Sequence, residues 1–113
     1  MNFYIGTNID EIDINQYNIE IYDEIFEQII KAGRQLNVDV SMISNIDPYD
    51  DCVINYQDVK RIVDLCDVVI ERKLLDNYLD PKEGYEMITG LKAIAMEAIK
   101  NKEGLVSIGD WCR

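Results

Sequence analysis

The chain contains no histidine. That absence excludes Ser-His-Asp and Cys-His nucleophilic catalysis, imidazole general-base chemistry, and most zinc and iron sites. Cysteine is sparse and odd in number. Cys52, Cys66 and Cys112, spaced by 14 and 46 positions, fit no C-x-x-C redox or zinc pattern and predict reduced thiols. Glycine and proline number only 6 and 2, with every glycine isolated, so neither a low-complexity linker nor a glycine-rich phosphate loop is expected. No apolar run approaches the ~20 residues of a membrane span. The opening Met1-Asn2-Phe3-Tyr4-Ile5-Gly6 has no basic region followed by a sustained apolar one, so no secretory signal is expected and a cytoplasmic location is. Basic residues are absent before Lys31, although seven acids precede it.

What is present is an ordinary globular composition with an unusual charge distribution. A length of 113 residues suits one hydrophobic core, which typically occupies roughly 100–150 residues, so residues 1–113 are expected to form a single domain. The composition, 48% hydrophobic and 29% charged, lies in the soluble globular range. Net charge is −11, and residues 1–58 carry nearly all of it: twelve acids against only Lys31 and Arg34, a net of −10. Residues 59–113 are close to balanced, with ten acids and nine bases. Such a field repels nucleic acid and anionic membrane and accelerates encounter with basic partners, so neither nucleic acid nor membrane is expected as a partner.

Periodicity predicts an α+β fold of about three amphipathic helices packed with a few short strands. Residues 2–6 read as a strand and Thr7 to Asn18 as a loop. From Ile19 to Leu36 the apolar positions Tyr22, Ile25, Phe26, Ile29, Ile30, Gly33 and Leu36 recur at helical spacing, predicting a helix of about five turns. Val38 to Ser44 alternates as a strand would, and Asn45 to Asp51 reads as a polar turn with Pro48 at its start. After the short run Cys52-Val53-Ile54, Asn55 is placed to cap a second helix, whose stripe is Val59, Ile62, Val63, Cys66, Val69 and Ile70, widened by Leu65 and Val68. Asp80-Pro81-Lys82-Glu83 supplies a cap, a first-turn proline and an acid for a third helix, with Met87, Ile88, Leu91, Ile94, Ala95, Ala98 and Ile99 as its stripe. Gly104 reads as its stop, and Leu105 to Ile108 as a last strand.

Few constellations carry chemistry. Glu71-Arg72-Lys73 has the E-x-K order of a metal-dependent nuclease half-site, yet it closes a predicted helix, where cations offset the C-terminal dipole. Asp10-Glu11-Ile12-Asp13 and Asp47-Pro48-Tyr49-Asp50-Asp51 lack the order and glycine of an EF-hand loop. No catalytic residue, metal ligand or cofactor is assigned. What remains is an acidic surface. Glu20, Asp23, Glu24 and Glu27 crowd the first predicted helix, with two like-charged i, i+4 pairs each costing about 0.2–0.5 kcal/mol. Asp47, Asp50 and Asp51 surround Tyr49, which with Tyr17 offers aromatic contact area between charges. These acids and Tyr49 are the candidate partner-binding residues.

The segment Ile46-Asp47-Pro48-Tyr49-Asp50-Asp51-Cys52-Val53-Ile54-Asn55, running into a helix and followed much later by Ile108-Gly109-Asp110, resembles small bacterial immunity proteins of polymorphic-toxin and contact-dependent growth inhibition systems. The resemblance spans about residues 46–110. It implies a cytoplasmic protein that sequesters one cognate toxin domain, often a nuclease, without catalysis. The charge by itself equally fits an acidic, nucleic-acid-mimicking inhibitor or regulator of a DNA-binding protein, and paired carboxylates leave a small metal-dependent hydrolase as a third reading. The missing histidine weighs against that third one. The isolated protein is expected to hydrolyse neither RNA, DNA nor sugars, with or without magnesium; turnover that disappears in Glu71→Gln or Lys73→Gln would overturn this.

Overall fold

A computed structural model describes residues 1–109; Asp110 and Cys112, which also figure in the sequence reading, lie outside the described residues. The order is β1 (Asn2–Ile5), a 3₁₀ turn (Ile9–Glu11), β2 (Asn18–Glu20), α1 (Asp23–Gln35), α2 (Ser41–Ser44), β3 (Cys52–Ile54), α3 (Tyr56–Glu71), α4 (Pro81–Lys100) and β4 (Leu105–Ile108). The fold is α+β. All strand pairs are antiparallel, in the order β2-β1-β4-β3. The first and last strands are therefore neighbours at the centre, with Phe3 opposite Ser107 and Ile5 opposite Leu105.

Strand alternation gives the sheet two faces. The core face carries Phe3, Ile5, Ile19, Leu105, Ser107, Cys52 and Ile54, which register places in rows across the strands. Helix α4 crosses this face against β1 and β2, burying Ile88, Leu91, Ile94, Ala95 and Ala98. Helix α3 packs on α4 through Val59, Ile62, Leu65, Cys66 and Val69. Helix α1 closes the core with Ile25, Phe26 and Ile29, and the Phe26 ring meets Phe3 edge to face at 5.9 Å. Each Val, Leu, Ile or Phe among these contributes about 1.5–3 kcal/mol when fully buried. The Ser107 hydroxyl is also buried and has no hydrogen-bond partner among the described residues.

The opposite face is covered too. Tyr4 and Val106 point there and are nonetheless buried, because the segment between β1 and β2 folds back over them. Ile12 lies against Gly6, the Tyr4 hydroxyl donates to Ile14 O, and the Gln16 side-chain amide donates to Ile5 O. This cover makes β4 buried along most of its length instead of alternately exposed.

Several expectations hold. Asn55 Oδ1 accepts from Asp58 N at 2.9 Å and Asp80 Oδ1 from Glu83 N at 3.1 Å, so both caps satisfy first-turn amides. Others do not. The first helix begins at Asp23, not Ile19: residues 18–20 pair with β1, and Ile21 N continues that ladder by donating to Met1 O. A tertiary strand partner overrides the local helical period there. Glu20 thus stands on a sheet edge, and the expected Glu20–Glu24 helical pair does not exist. The strand expected at 38–44 is instead the one-turn helix α2, preceded by an irregular stretch. Ile70, assigned to the α3 stripe, is 40% exposed, whereas Leu65, expected only to widen that stripe, is buried.

Helices α1, α3 and α4 each end in a left-handed residue, Asn37, Lys73 and Lys102. In each the next amide reaches back across the turn, Val38 N to Gly33 O, Leu74 N to Val69 O and Glu103 N to Ala98 O, the Schellman arrangement. Gly104 therefore does not stop α4. Its role is close approach: a Cβ there would stand 2.3 Å from Ile54 O and 3.3 Å from Gly6 O, both backbone atoms. Gly104→Ala is expected to cost about 3 kcal/mol, the upper end for overpacking. Gly90→Ala, in a helix interior where a Cβ would meet Ile19 Cγ2 at an ordinary 3.7 Å, should stabilise by about 0.5–1 kcal/mol. Denaturant midpoints of the two variants check both signs.

Candidate functional site: an acidic groove beside a docked turn

The turn before β3 is built by its own acids. Tyr49 N donates to Asp47 Oδ1 at 2.8 Å, Asp51 N to Asp50 Oδ1 at 2.8 Å, and Asp50 N to Asp47 O. Local side-chain acceptors of this kind replace ladder bonds in tight turns. The turn then docks on the end of β4: Gly109 N donates to Asp51 Oδ1, and a Cβ on Gly109 would stand 2.5 Å from Asp50 N and 2.7 Å from the Tyr49 carbonyl carbon. Only a residue without a side chain admits that contact. The stretches 46–55 and 108–109 are therefore contiguous in space although more than fifty residues separate them. Tyr49 projects from the turn and is 69% exposed.

Beside the turn runs a groove of about 200 Å³. Helix α1 contributes Asp23, Phe26, Glu27 and Ile30, spaced i, i+3, i+4, i+7 and so on one helical face; α2 and the segment after it contribute Ile43, Ser44, Ile46 and Pro48, and Met1, which carries the N-terminal ammonium, completes the lining. Two carboxylates thus stand over apolar side chains, next to a turn bearing three more acids.

The structure divides the candidate residues. Asp23 and Glu27 line this groove, and Asp47, Tyr49, Asp50 and Asp51 belong to the turn at its side. Glu24 does not. Its charge acts on Tyr78, whose phenol is raised above its ordinary range first by burial and then by Glu24, Glu83, Tyr22 and Asp80. Glu20 is separate again, exposed on edge strand β2 opposite Asn2. Tyr17 is 59% exposed on the approach to β2. The residues 71–73 of the E-x-K order are the last turn and cap of α3, as the helix-closing reading expects.

Neither described cysteine is an activated nucleophile. Burial raises the Cys66 thiol to about 12, and burial together with Asp50 raises that of Cys52. Among the described residues, no group of three or more Cys, Asp and Glu side chains is arranged to hold a metal ion, and no helix is long and apolar enough to cross a membrane.

Sequence reading missed Arg61, whose side chain reaches from α3 to α2 and to Asp39 before it. Its guanidinium donates to Asp39 Oδ2 at 2.6 Å, Ser41 Oγ at 2.8 Å and Asp58 Oδ1 at 3.1 Å. No spacing rule links Asp39 to Arg61 across 22 positions, so only i, i+3 Asp58 was discoverable. Bonds from the Ser41 amide and hydroxyl and from Arg61 hold the Asp39 carboxyl at about 2. Because that value lies below the ordinary 3.8, the associated stability is fully present above pH 3.8 and is lost as pH falls toward 2. An NMR carboxyl titration should place Asp39 near 2, and Arg61→Gln should raise it only part of the way, since the Ser41 amide remains. A midpoint at 3.8 in the parent protein would overturn this geometry. Comparisons with protein families, with curated proteins and with solved structures find no match for the chain.

Proposed function

We propose that this protein is an immunity protein that binds and neutralises a cognate basic toxin domain, a nuclease, in the bacterial cytoplasm and without catalysis of its own. The observation that carries the reading is the convergence of Asp23 and Glu27 with the Asp47-to-Asp51 turn around an apolar groove. Acids at the rim of an apolar, concave surface attract a basic partner and then exclude water from its contact. Tyr49 supplies a rigid aromatic anchor with few rotamers to lose, and its backbone is already ordered by the turn and by Gly109. The resemblance of residues 46–55 and 108–109 to immunity proteins adds support, because those residues meet on one surface.

The acids have separable duties in this reading. Asp51 holds the turn on β4, so its loss acts through folding. Glu27 is exposed and steers encounter. Asp47 and Asp50 do both, since each carboxylate already accepts an amide within the turn.

The test uses the product of the adjacent upstream gene, purified and assayed for nuclease activity with and without this protein. Stoichiometric inhibition is expected. In stopped-flow association at low salt, Asp23→Asn with Glu27→Lys, both lining the groove, should slow binding about tenfold and flatten its salt dependence. The control pair Glu86→Lys with Glu97→Lys, exposed on α4, should change it much less. Tyr49→Ala should act on dissociation. Equal effects from the two charge pairs would remove the groove as the binding face. Absence of inhibition, combined with competitive displacement of DNA from a DNA-binding protein, would replace this reading with that of an acidic regulator.

A further inference from the structure

At the other end of α1 the charge changes sign. A cleft of about 400 Å³, twice the volume of the acidic groove, opens between the C-terminal half of α1 and the segment that follows α3. Lys31, Arg72 and Lys73 line it, together with Gln28, Gln35 and Asn77. Three of the chain's eleven bases meet there from two segments about forty residues apart. Among the described residues none of the three has a carboxylate within ion-pairing distance, whereas Arg61 and Lys92 both do. In a chain with 22 acids, three converging cations none of which is ion-paired to a carboxylate form a local field of the opposite sign.

Offsetting helix dipoles does not account for the arrangement. Arg72 and Lys73 follow the end of α3, but Lys31 precedes the last turn of α1, where Arg34 is the base that faces the dipole. The C-terminal turns are moreover closed by the chain itself, through Val38 N to Gly33 O and Leu74 N to Val69 O. Lys73 is also held in the left-handed conformation, φ 57°.

We propose that this cleft binds a diphosphate group carried by a small molecule. A guanidinium offers paired N–H groups that match two phosphate oxygens, and two ammonium groups complete the neutralisation. The amides of Gln28, Gln35 and Asn77 add neutral donors. Ala32, Leu36 and Leu74, which also line the cleft, give the organic part an apolar shelf, and the volume lies within the roughly 300–1,000 Å³ of small-molecule sites. An extended acidic peptide fits less well, because the positive lining covers one short stretch and is flanked by acids elsewhere on α1. The inference is independent of the toxin reading.

Calorimetric titration of the full-length protein with ADP, inorganic pyrophosphate and adenosine tests it. ADP and pyrophosphate should bind saturably at one site and adenosine should not. Lys31→Gln and Arg72→Gln should each weaken binding roughly tenfold or more, the effect of losing one hydrogen bond to a charged group. Lys100→Gln, exposed at the end of α4, should leave it unchanged. ADP binding more tightly than pyrophosphate would assign a contact to the Leu36 shelf; equal affinities would confine recognition to the diphosphate. No saturable binding at millimolar concentrations, or equal weakening by Lys31→Gln and Lys100→Gln, overturns the proposal. Both cleft residues are exposed, and unchanged denaturation midpoints verify that the variants fold.

Discussion

The pairing of β1 with β4 is the contact on which the rest of this fold depends. It joins residues 2–5 to residues 105–108 at the centre of the sheet. No local preference can form it, and its loop-closure entropy is that of nearly the whole chain. Once made, it aligns Phe3 and Ile5 with Leu105 and Ser107, creates the floor on which α4 lies, and offers each strand a free edge. Strand β2 adds to one edge and β3 to the other. The backbone of β4 must approach closely at both of its ends to do this. Gly104 lies against Ile54 O and Gly6 O before the strand, and Gly109 against the Tyr49–Asp50 backbone after it. Two isolated glycines thereby decide where a helical layer and an acidic turn are held.

Charge segregation follows from this frame in a way that chain halves do not describe. The acidic excess of residues 1–58 is distributed over the edge strand β2, the segment covering the outer sheet face, α1 and the turn before β3. Only part of it converges. Helix α1 presents the two signs to separate concavities, with Asp23 and Glu27 lining a groove near its start and Lys31 lining a cleft near its end. About one turn separates Glu27 from Lys31, so opposite fields sit within roughly 6 Å of rise. A partner of either sign can be oriented by such a helix, since steering responds to where charge lies and not to its total. The paired Arg61, by contrast, is spent on holding α2 to α3, and at its exposure such an ion pair contributes little to stability.

Long periodic segments and side-chain caps were legible from residue order because the forces that make them act within four or five positions. The stripes of α3 and α4, the Asn55 and Asp80 caps, and the strands at residues 2–5 and 105–108 are of that kind. Ile19 to Ile21 shows where such reading fails. Those residues continue the apolar period of α1, yet the edge of β1 offers them backbone partners that a helix would forgo. Val38 to Ser44 fails for the opposite reason. Its alternation is genuine, but the Schellman turn at Asn37 and the bonds from Ser41 to Asp39 start a helical turn before any sheet edge is reached.

The sequence by itself determined the α+β class, the helices that follow Asn55 and Asp80, the excess of acid, and the absence of imidazole chemistry, since each depends only on composition or on neighbours along the chain. Tertiary structure alone decided which acids share a surface. It removed Glu20 from the helix, left Glu24 outside the groove, placed Asp23 and Glu27 over its apolar lining, and set the Asp47-to-Asp51 turn against Gly109. It also gathered Lys31, Arg72 and Lys73 into one cleft. The physical reason is that side chains interact through space over a few ångströms, while the chain brings residues together only where backbone pairing and close packing permit.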